Sequence, residues 1–471
     1  MKRFLPCALL ALLVPAVPSL ALAQATPAAA PETAPAAEPH AQLRDQLARL
    51  EDTARLEQTA AGLEARGQHD AAALAWERLV ALRPHLGRYK LRLAAAYAQQ
   101  DRKSETYNAL LELQKQGYAF DIDGDPRFAK VATTEVWKYV VQGLDANRQP
   151  FGEGKVAVTL PADDLLVESI AWDPTRKQLL AGSARKGAVY LVDRKGKLKP
   201  LLKSDAENGM WAVMDIAVDA GRGLLWVAST AIPHFEGYEP ERDLGRAGVF
   251  KFDLRSGKFL DRYLSPVVPG QSFFMSSLAL GKNGEVYAAD GVNNAVYVVR
   301  GDEFKRLFHA PRLSGLRGMT VDAEGNALYF ADAQRGIMGF DIKSGRPFDV
   351  RVPPTLALGG AEGLAWWKDS LIVVQAGMQP SRIMKLQLDD DGRNVAAVFP
   401  LEANKEALSA PTMVTVGDGA LYVIANSQKA NYDRFGLLRD REALEGTRIW
   451  KLDPDFGGKV APKAIQQTIS K

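Results

Sequence analysis

Cysteine is nearly absent from this chain. Cys7 is the single cysteine among 471 residues, and it lies in an apolar stretch at the N-terminus. The rest of the chain has no thiol for nucleophilic catalysis and no partner for a disulfide. Its stability must therefore come from the packing of apolar cores.

Histidine and net charge are also scarce. The five histidines are His40, His69, His85, His234 and His309. Because no two of them are close in sequence, a zinc site built on histidines is not predicted. The net charge is +3, and Lys2 and Arg3 supply two of these charges. A nearly neutral chain lacks the basic surface that nucleic-acid binding requires, so we expect no nucleic-acid partner.

Long apolar runs are missing except at the very start. Residues 4–23 are apolar apart from three prolines and a serine, they follow Lys2-Arg3, and they end in Ala-Leu-Ala before Gln24. This pattern predicts a secretory signal peptide over residues 1–23 and a periplasmic or secreted protein. Pro15 and Pro18 argue against the alternative, a membrane anchor. No later run reaches the roughly 20 apolar residues of a transmembrane helix.

Two segments of different composition follow. Residues 24–41 are rich in alanine, proline and glutamate and predict a disordered linker. Residues 42–147 place leucine and alanine at helical spacing. The stretch GLEARGQHDAAALAWERLVALRP resembles a tetratricopeptide repeat (TPR), with Ala72 and Trp76 at packing positions, and a second unit follows after 34 residues. A TPR-like segment is predicted; an ordinary helical bundle is the alternative.

The region after Pro150 is rich in short β-prone runs separated by Gly, Asp and Asn turns. One pattern of strand, turn and strand occurs six times, beginning at residues 168, 214, 276, 317, 362 and 411. Most of these intervals match the length of a four-stranded propeller blade. The longest interval contains an insertion, IPHFEGYEPERDLGRAG.

We therefore predict a mainly β chain, in which a six-bladed β-propeller over residues 150–460 follows the α-helical segment. Closure of the ring requires an outer strand from the start of the domain, and VAVTL at 156–160 is the candidate. A β-sandwich is the alternative fold.

The repeats resemble those of the six-bladed superfamily that contains gluconolactonase, regucalcin (senescence marker protein) and NHL-repeat proteins. Residues 160–455 carry this resemblance, and residues 214–263 are also similar to yellow/major royal jelly proteins. Such matches concern the pattern of a blade, so they imply architecture more strongly than activity.

The residue that opens each repeat is expected near one rim of the central channel, because innermost strands line it. Glu168 and Glu362 hold this position in two blades, and Asp215 lies beside it in another. Carboxylates from separate blades predict an oxygen cage for Ca²⁺ or another divalent cation.

The resemblance implies a metal held by a glutamate, two asparagines and an aspartate. Glu168 matches the glutamate, Glu362 stands in the place of the aspartate, and Asp215 is one residue beyond an asparagine position. Arg317 departs from the pattern, because it replaces the other asparagine. Arginine is cationic and has no acceptor atom, so it opposes a metal. It can instead bind an anionic ligand group or pair with Glu168 or Glu362 as a structural plug.

Further candidates are a catalytic role for Asp215 or His234 and ligand binding by Arg317, Ser276 and Asn426. His234 lies in the long insertion among aromatic residues, which suggests a lid or general base. Solvated surface is the alternative for His234, and ordinary turn chemistry is the alternative for Asn426.

Two functions remain open from the sequence. The first is an exported binding protein, with a small-molecule, glycan or peptide ligand at the propeller centre and a protein partner on the helical segment. The second is a metal-dependent hydrolase acting on a lactone or carboxylic ester, in which the metal polarises the carbonyl group. Whether the protein is an enzyme is not decided by these residues.

Overall fold

The computed structural model describes residues 40–456. The predicted signal peptide lies outside the described residues, and so does the predicted linker up to residue 39. No helix in the described range is long and apolar enough to cross a membrane.

The N-terminal part is α-helical. Its helices are α1 (Ala41–Ala48), α2 (Thr53–Ala65), α3 (His69–Leu82), α4 (Gly87–Gln99), α5 (Lys103–Lys115) and α6 (Glu135–Ala146). Helices α2 and α3 form one antiparallel pair, and α4 and α5 form a second pair that starts 34 residues later. The first pair turns through Gly67 at φ +70° and the second through Asp101 at φ +57°. Both residues adopt the left-handed conformation that ends a helix.

Small and aromatic side chains pack these helices together. Ala72 and Trp76 are buried, as the repeat pattern predicts, and the Trp76 indole donates a hydrogen bond to Glu64 at 2.7 Å. Thr134 caps the N-terminus of α6, which places Trp137 against Phe128 with ring centroids 5.4 Å apart. The buried apolar side chains of the helical segment form two clusters, and one of them also contains Ala357 and Met378 of the propeller.

The remainder is a six-bladed β-propeller, as predicted, with β1 (Lys155–Thr159) preceding blade one. Blade one contains β2 (Val167–Asp173), β3 (Gln178–Ser183), β4 (Ala188–Val192) and β5 (Leu198–Lys203), and blade two contains β6 (Ala212–Asp219), β7 (Leu224–Thr230), β8 (Ala247–Asp253) and β9 (Phe259–Leu264). Blade three contains β10 (Met275–Leu280), β11 (Val286–Asp290), β12 (Ala295–Arg300) and β13 (Glu303–His309), and blade four contains β14 (Leu316–Val321), β15 (Ala327–Asp332), β16 (Gly336–Asp341) and β17 (Arg346–Asp349). Blade five contains β18 (Ala361–Trp367), β19 (Ser370–Gln375), β20 (Arg382–Leu388) and β21 (Val395–Ala403), and blade six contains β22 (Val414–Gly417), β23 (Ala420–Ile424) and β24 (Arg448–Leu452).

Blade six is completed by β1, so the first strand of the domain closes the ring. Strand β1 pairs antiparallel with β24, with Val156 opposite Trp450 and Val158 opposite Ile449. The predicted closing strand is confirmed, one residue earlier than its predicted start. Closure places the core between neighbouring blades, where aliphatic and aromatic side chains of adjacent sheets are buried together.

Candidate functional site at the propeller mouth

A β-bulge interrupts the innermost strand of five blades at the same point. In each case the register shifts at the residue that opens the repeat. These residues are Glu168, Met214, Ser276, Arg317 and Glu362. A bulge leaves its extra residue outside the regular ladder and redirects its side chain. The repeat pattern therefore locates a ring of redirected side chains at one end of the channel.

Charged side chains of neighbouring blades meet at this end. Arg317 Nε lies 3.5 Å from Glu362 Oε2, and the Ser427 hydroxyl donates a hydrogen bond of 2.6 Å to Glu168 Oε1. Lys429 follows Ser427 in the loop between β23 and β24. We call the group formed by Glu168, Arg317, Glu362, Ser427 and Lys429 the mouth.

The electrostatic environment of the mouth is mixed. Burial is the largest effect on the pKa of Glu168 and raises it, and the nearby Glu362 raises it further. The hydrogen bond from Ser427 and the positive charges of Lys429 and Arg317 lower this pKa, but the net shift is upward. Two carboxylates and two cations thus influence one another across the ring. Glu168 is held more readily in its protonated form than an exposed glutamate.

Asp215 lies in the channel but is fully engaged by the protein. Its carboxylate accepts hydrogen bonds from the backbone N–H groups of Ile216 and Leu278 at 2.8 and 2.7 Å, and from the Ser277 hydroxyl at 3.1 Å. Leu278 belongs to the inner strand of the next blade, so Asp215 joins blade two to blade three. Burial raises the pKa of Asp215 to about 7.

The residues that the sequence proposed as metal ligands do not form a cation site that fits Ca²⁺. No group of three or more His, Cys, Asp or Glu side chains within residues 40–456 is arranged to hold a metal ion. The oxygens of Asp215 are occupied by N–H and O–H donors, and Glu362 faces the cationic Arg317. Calcium requires six to eight oxygen ligands, and a guanidinium beside them repels the ion.

Ser276 and Asn426 are both buried and both bonded within the protein. The Ser276 hydroxyl donates to the carbonyl of Leu316 at 3.2 Å. Asn426 Oδ1 accepts from the Arg448 N–H at 2.7 Å, and Nδ2 donates to the Gly446 carbonyl at 3.2 Å. Both side chains join neighbouring segments at this end of the propeller.

His234 lies at the same end, in the insertion between β7 and β8. Its ring is half-buried and 5.9 Å from the ring of Tyr432, and its pKa is lowered by burial, then by Lys429 and Arg185. Tyr432 donates to Asp164 at 2.6 Å, and Arg185 also binds Asp164, at 3.1 Å. A neutral histidine therefore stands beside an ordered tyrosine.

The sequence did not identify Ser427, Lys429, Asp164 and Arg185 as part of this site. They lie in connections that do not follow the repeat. The sequence did contain one indication of these residues, which is the unusual length of the connection between β23 and β24, residues 425–447. The connection at the same place in blade two, residues 231–246, is also long and supplies His234.

The helical segment packs on the same face of the propeller as the mouth. The backbone N–H of Leu358 lies 3.4 Å from His85 Nδ1, and Arg382 donates to the carbonyls of Gln116 and Ala357, each at 2.8 Å. Leu358 and Arg382 lie in or beside the connections at the end of the blades where inner strands β14 and β18 begin. The helices therefore stand beside the mouth above blades four and five.

Between the inner strands lies a channel cavity of about 330 Å³. It is lined by all six inner strands, and Asp215 is the one ionisable residue among its lining. The charged groups of the mouth thus lie at one end of a channel whose lining contains one ionisable residue, Asp215.

A comparison with known protein families finds no match, and a comparison with curated proteins finds none either. Solved structures with a similar fold include the PQQ-bound aldose sugar dehydrogenase of Streptomyces coelicolor, at 16% identity and a TM-score of 0.43 over 65% of this chain and 99% of that one. A gluconolactonase of Xanthomonas campestris is 14% identical, with a TM-score of 0.43 over 65% and 92% of the two chains. Virginiamycin B lyase of Staphylococcus aureus is 14% identical, with a TM-score of 0.41 over 64% and 99%. At this identity the similarity concerns the fold alone.

Proposed function

We propose that this protein is an exported binding protein whose propeller mouth recognises a polar ligand through an anionic oxygen group. The ligand class is a small molecule, a glycan or a peptide that carries a carboxylate or a phosphate. The observation that carries the proposal is the position of Arg317, a cation in the ring of redirected side chains.

The guanidinium of Arg317 has unused hydrogen-bond donors. An arginine side chain offers five N–H groups. Within residues 40–456 its one charged contact is Glu362 at 3.5 Å, and its buried Nε makes no hydrogen bond. About a third of the side chain is exposed, 35% by area. An incoming carboxylate or phosphate can accept two parallel hydrogen bonds from such a group.

The acidic residues suit the rest of such a ligand. Glu362 orients Arg317, and Glu168, held by Ser427, presents a second acceptor across the ring. Carboxylates accept hydrogen bonds from ligand hydroxyl or amide groups. Lys429 adds a second cation on the same side as Glu168. A hydroxylated acid, such as an acidic sugar, matches this mixture of donors and acceptors.

The helical segment is proposed as a TPR-like docking module for a protein partner. The 34-residue offset between its two helix pairs supports this assignment. Export by the predicted signal peptide places the protein in the periplasm or outside the cell. The similarity of blade two to yellow/major royal jelly proteins remains a sequence resemblance.

The alternative function is a metal-dependent lactonase or esterase of the gluconolactonase type. It would use Ca²⁺ or another divalent cation at Glu168, Asp215 and Glu362, with Asp215 or His234 as the proton acceptor. The neutral form of His234, favoured by its lowered pKa, supports a role as general base. The engagement of Asp215 by three donors weighs against this alternative.

Thermal melting in the presence of a charged and an uncharged sugar tests the binding proposal. D-glucuronate should raise the melting temperature and D-glucose should not, because a ligand that binds only the folded state stabilises it by mass action. Arg317→Gln should abolish the glucuronate effect. Arg346→Gln, an exposed arginine on β17, is the matched control. An equal effect of glucuronate on native protein and on Arg317→Gln would refute the proposal.

A further inference from the structure

A second concave site lies at the end of the propeller opposite the mouth, between β1 and blade one. Its volume is about 760 Å³, within the usual range of small-molecule sites. It is bounded by β1, by the end of β2 at Trp172, and by the turns that contain Lys177, Arg194 and Asp418. We call this site the basal groove.

Strand β1, which borders the basal groove, has no aromatic side chain. It reads KVAVT, and Val158 faces blade one and the groove. The outer strands of blades two to four each carry aromatic residues that pack at the blade seams. These residues are Phe259, Tyr263, Phe304, Phe308 and Phe348. At the β1 seam the space beside the rings of Trp172 and Tyr422, which stack with centroids 5.5 Å apart, stays open.

The rim of the basal groove is positively charged. Lys155, Lys177, Arg194 and Lys451 line it. In the described part of the chain, no carboxylate lies within ion-pair distance of any of these four, and the Lys451 ammonium stands 5.5 Å from the centre of the Tyr422 ring. Asp193 and Asp418 also line the groove, and Asp193 accepts hydrogen bonds from the backbone N–H groups of its own turn.

We propose that the basal groove binds a small organic anion with a flat apolar body. Val158 of β1 and the Trp172–Tyr422 pair bury the apolar part, since aromatic walls stabilise flat ligands. The uncompensated cations attract the carboxylate or phosphate group. This site shares no residue with the mouth, so the proposal does not depend on the proposed function of the mouth.

Two probes of equal shape and opposite charge test the proposal. We expect 2-naphthoate to bind the native protein in isothermal titration calorimetry, and 2-naphthylmethylamine to bind at least tenfold more weakly. The double variant Lys177→Gln/Arg194→Gln should weaken naphthoate binding at least tenfold. Lys258→Gln, on the corresponding turn of blade two, should leave it unchanged. Arg317→Gln should also leave it unchanged, which separates the basal groove from the mouth.

A filling variant tests the shape of the basal groove. Val158→Phe adds an aromatic ring of the kind that the outer strands of blades two to four carry, and it should abolish naphthoate binding. Leu260→Phe on β9 is the control for an added ring on an exposed strand position. No naphthoate binding up to millimolar concentration, equal binding of both probes, or unchanged binding in the double variant would each overturn the proposal. If Val158→Phe does not fold, as judged by near-UV circular dichroism, the outcome of the charge variants decides the proposal.

Discussion

Arg317 of blade four and Glu362 of blade five face each other across the mouth, with Nε 3.5 Å from Oε2. Both belong to β-bulges at the same point of their repeats. Their side chains are 35% and 34% exposed. Water therefore screens the attraction, and the pair can open when a ligand competes for the guanidinium. A buried ion pair that plugs the channel would not be screened in this way, and removal of one partner would cost more unfolding free energy.

A double-mutant cycle distinguishes an open pair from a plug. Arg317→Ala, Glu362→Ala and the double variant should give a coupling energy of at most about 1 kcal/mol, because partly exposed ion pairs contribute little to stability. The measurement is the free energy of unfolding in urea for the four proteins. Loss of about 3–5 kcal/mol in either single variant would indicate a buried plug and contradict this account.

Asp215 predicts a specific pH dependence of stability. Its pKa is raised to about 7 in the fold by burial, whereas the pKa of an ordinary aspartate is near 3.8. A raised acid pKa means that the folded state holds the proton more tightly, so stability should fall as the pH rises from about 4 to about 7, by on the order of 1 kcal/mol per pH unit. Asp215→Asn cannot titrate and should not show this component.

The difference in unfolding free energy between native protein and Asp215→Asn isolates this effect, because the other carboxyl groups titrate in both proteins. The difference should change between pH 4 and pH 7 and be constant above that range. Asp302→Asn, at an exposed turn, is the control for removal of one carboxylate. A difference that is independent of pH would mean that Asp215 titrates normally.

The helical segment should depend on Arg382 for its attachment to the propeller. This side chain donates to Gln116 in the helical segment and to Ala357 and Gln375 in the propeller, each at 2.8 Å. Burial lowers its pKa to about 10. Arg382→Met leaves these acceptors without their donor, so it should destabilise the protein by at least about 2 kcal/mol.

Urea unfolding followed by circular dichroism at 222 nm measures this effect through the helices. The exposed Arg346→Met is the matched control and should shift stability by less than about 0.5 kcal/mol. Equal effects of the two substitutions would show that Arg382 does not hold the helical segment in place.

Much of the fold could be predicted because it repeats. Six copies of one strand pattern define six blades, and β1 was identifiable because a ring needs a closing strand. The docking of the helices was not predictable. His85 and Leu358 are turn residues that belong to no periodic pattern, and the contacts of His85 and Arg382 link residues far apart in the sequence.

The candidate site was predictable only where it follows the repeat. Arg317 and Glu362 were placed together because they open adjacent repeats. Ser427 and Lys429 were missed because they lie in a connection outside the repeat. The engagement of Asp215 depends on the register of a bulge, which brings the N–H of Leu278 to its carboxylate. That register cannot be predicted from any single residue of the sequence.

We propose that Arg317 gives the mouth a cation in place of a bound metal. The most direct test is isothermal titration calorimetry with calcium on the native protein, on Arg317→Asn and on the charge-preserving Arg317→Lys. We expect measurable calcium binding in Arg317→Asn, because the substitution removes the repulsion and supplies a carbonyl oxygen. Native protein and Arg317→Lys should bind none. Tight calcium binding by the native protein that Glu168→Gln abolishes would contradict the account and favour the lactonase alternative.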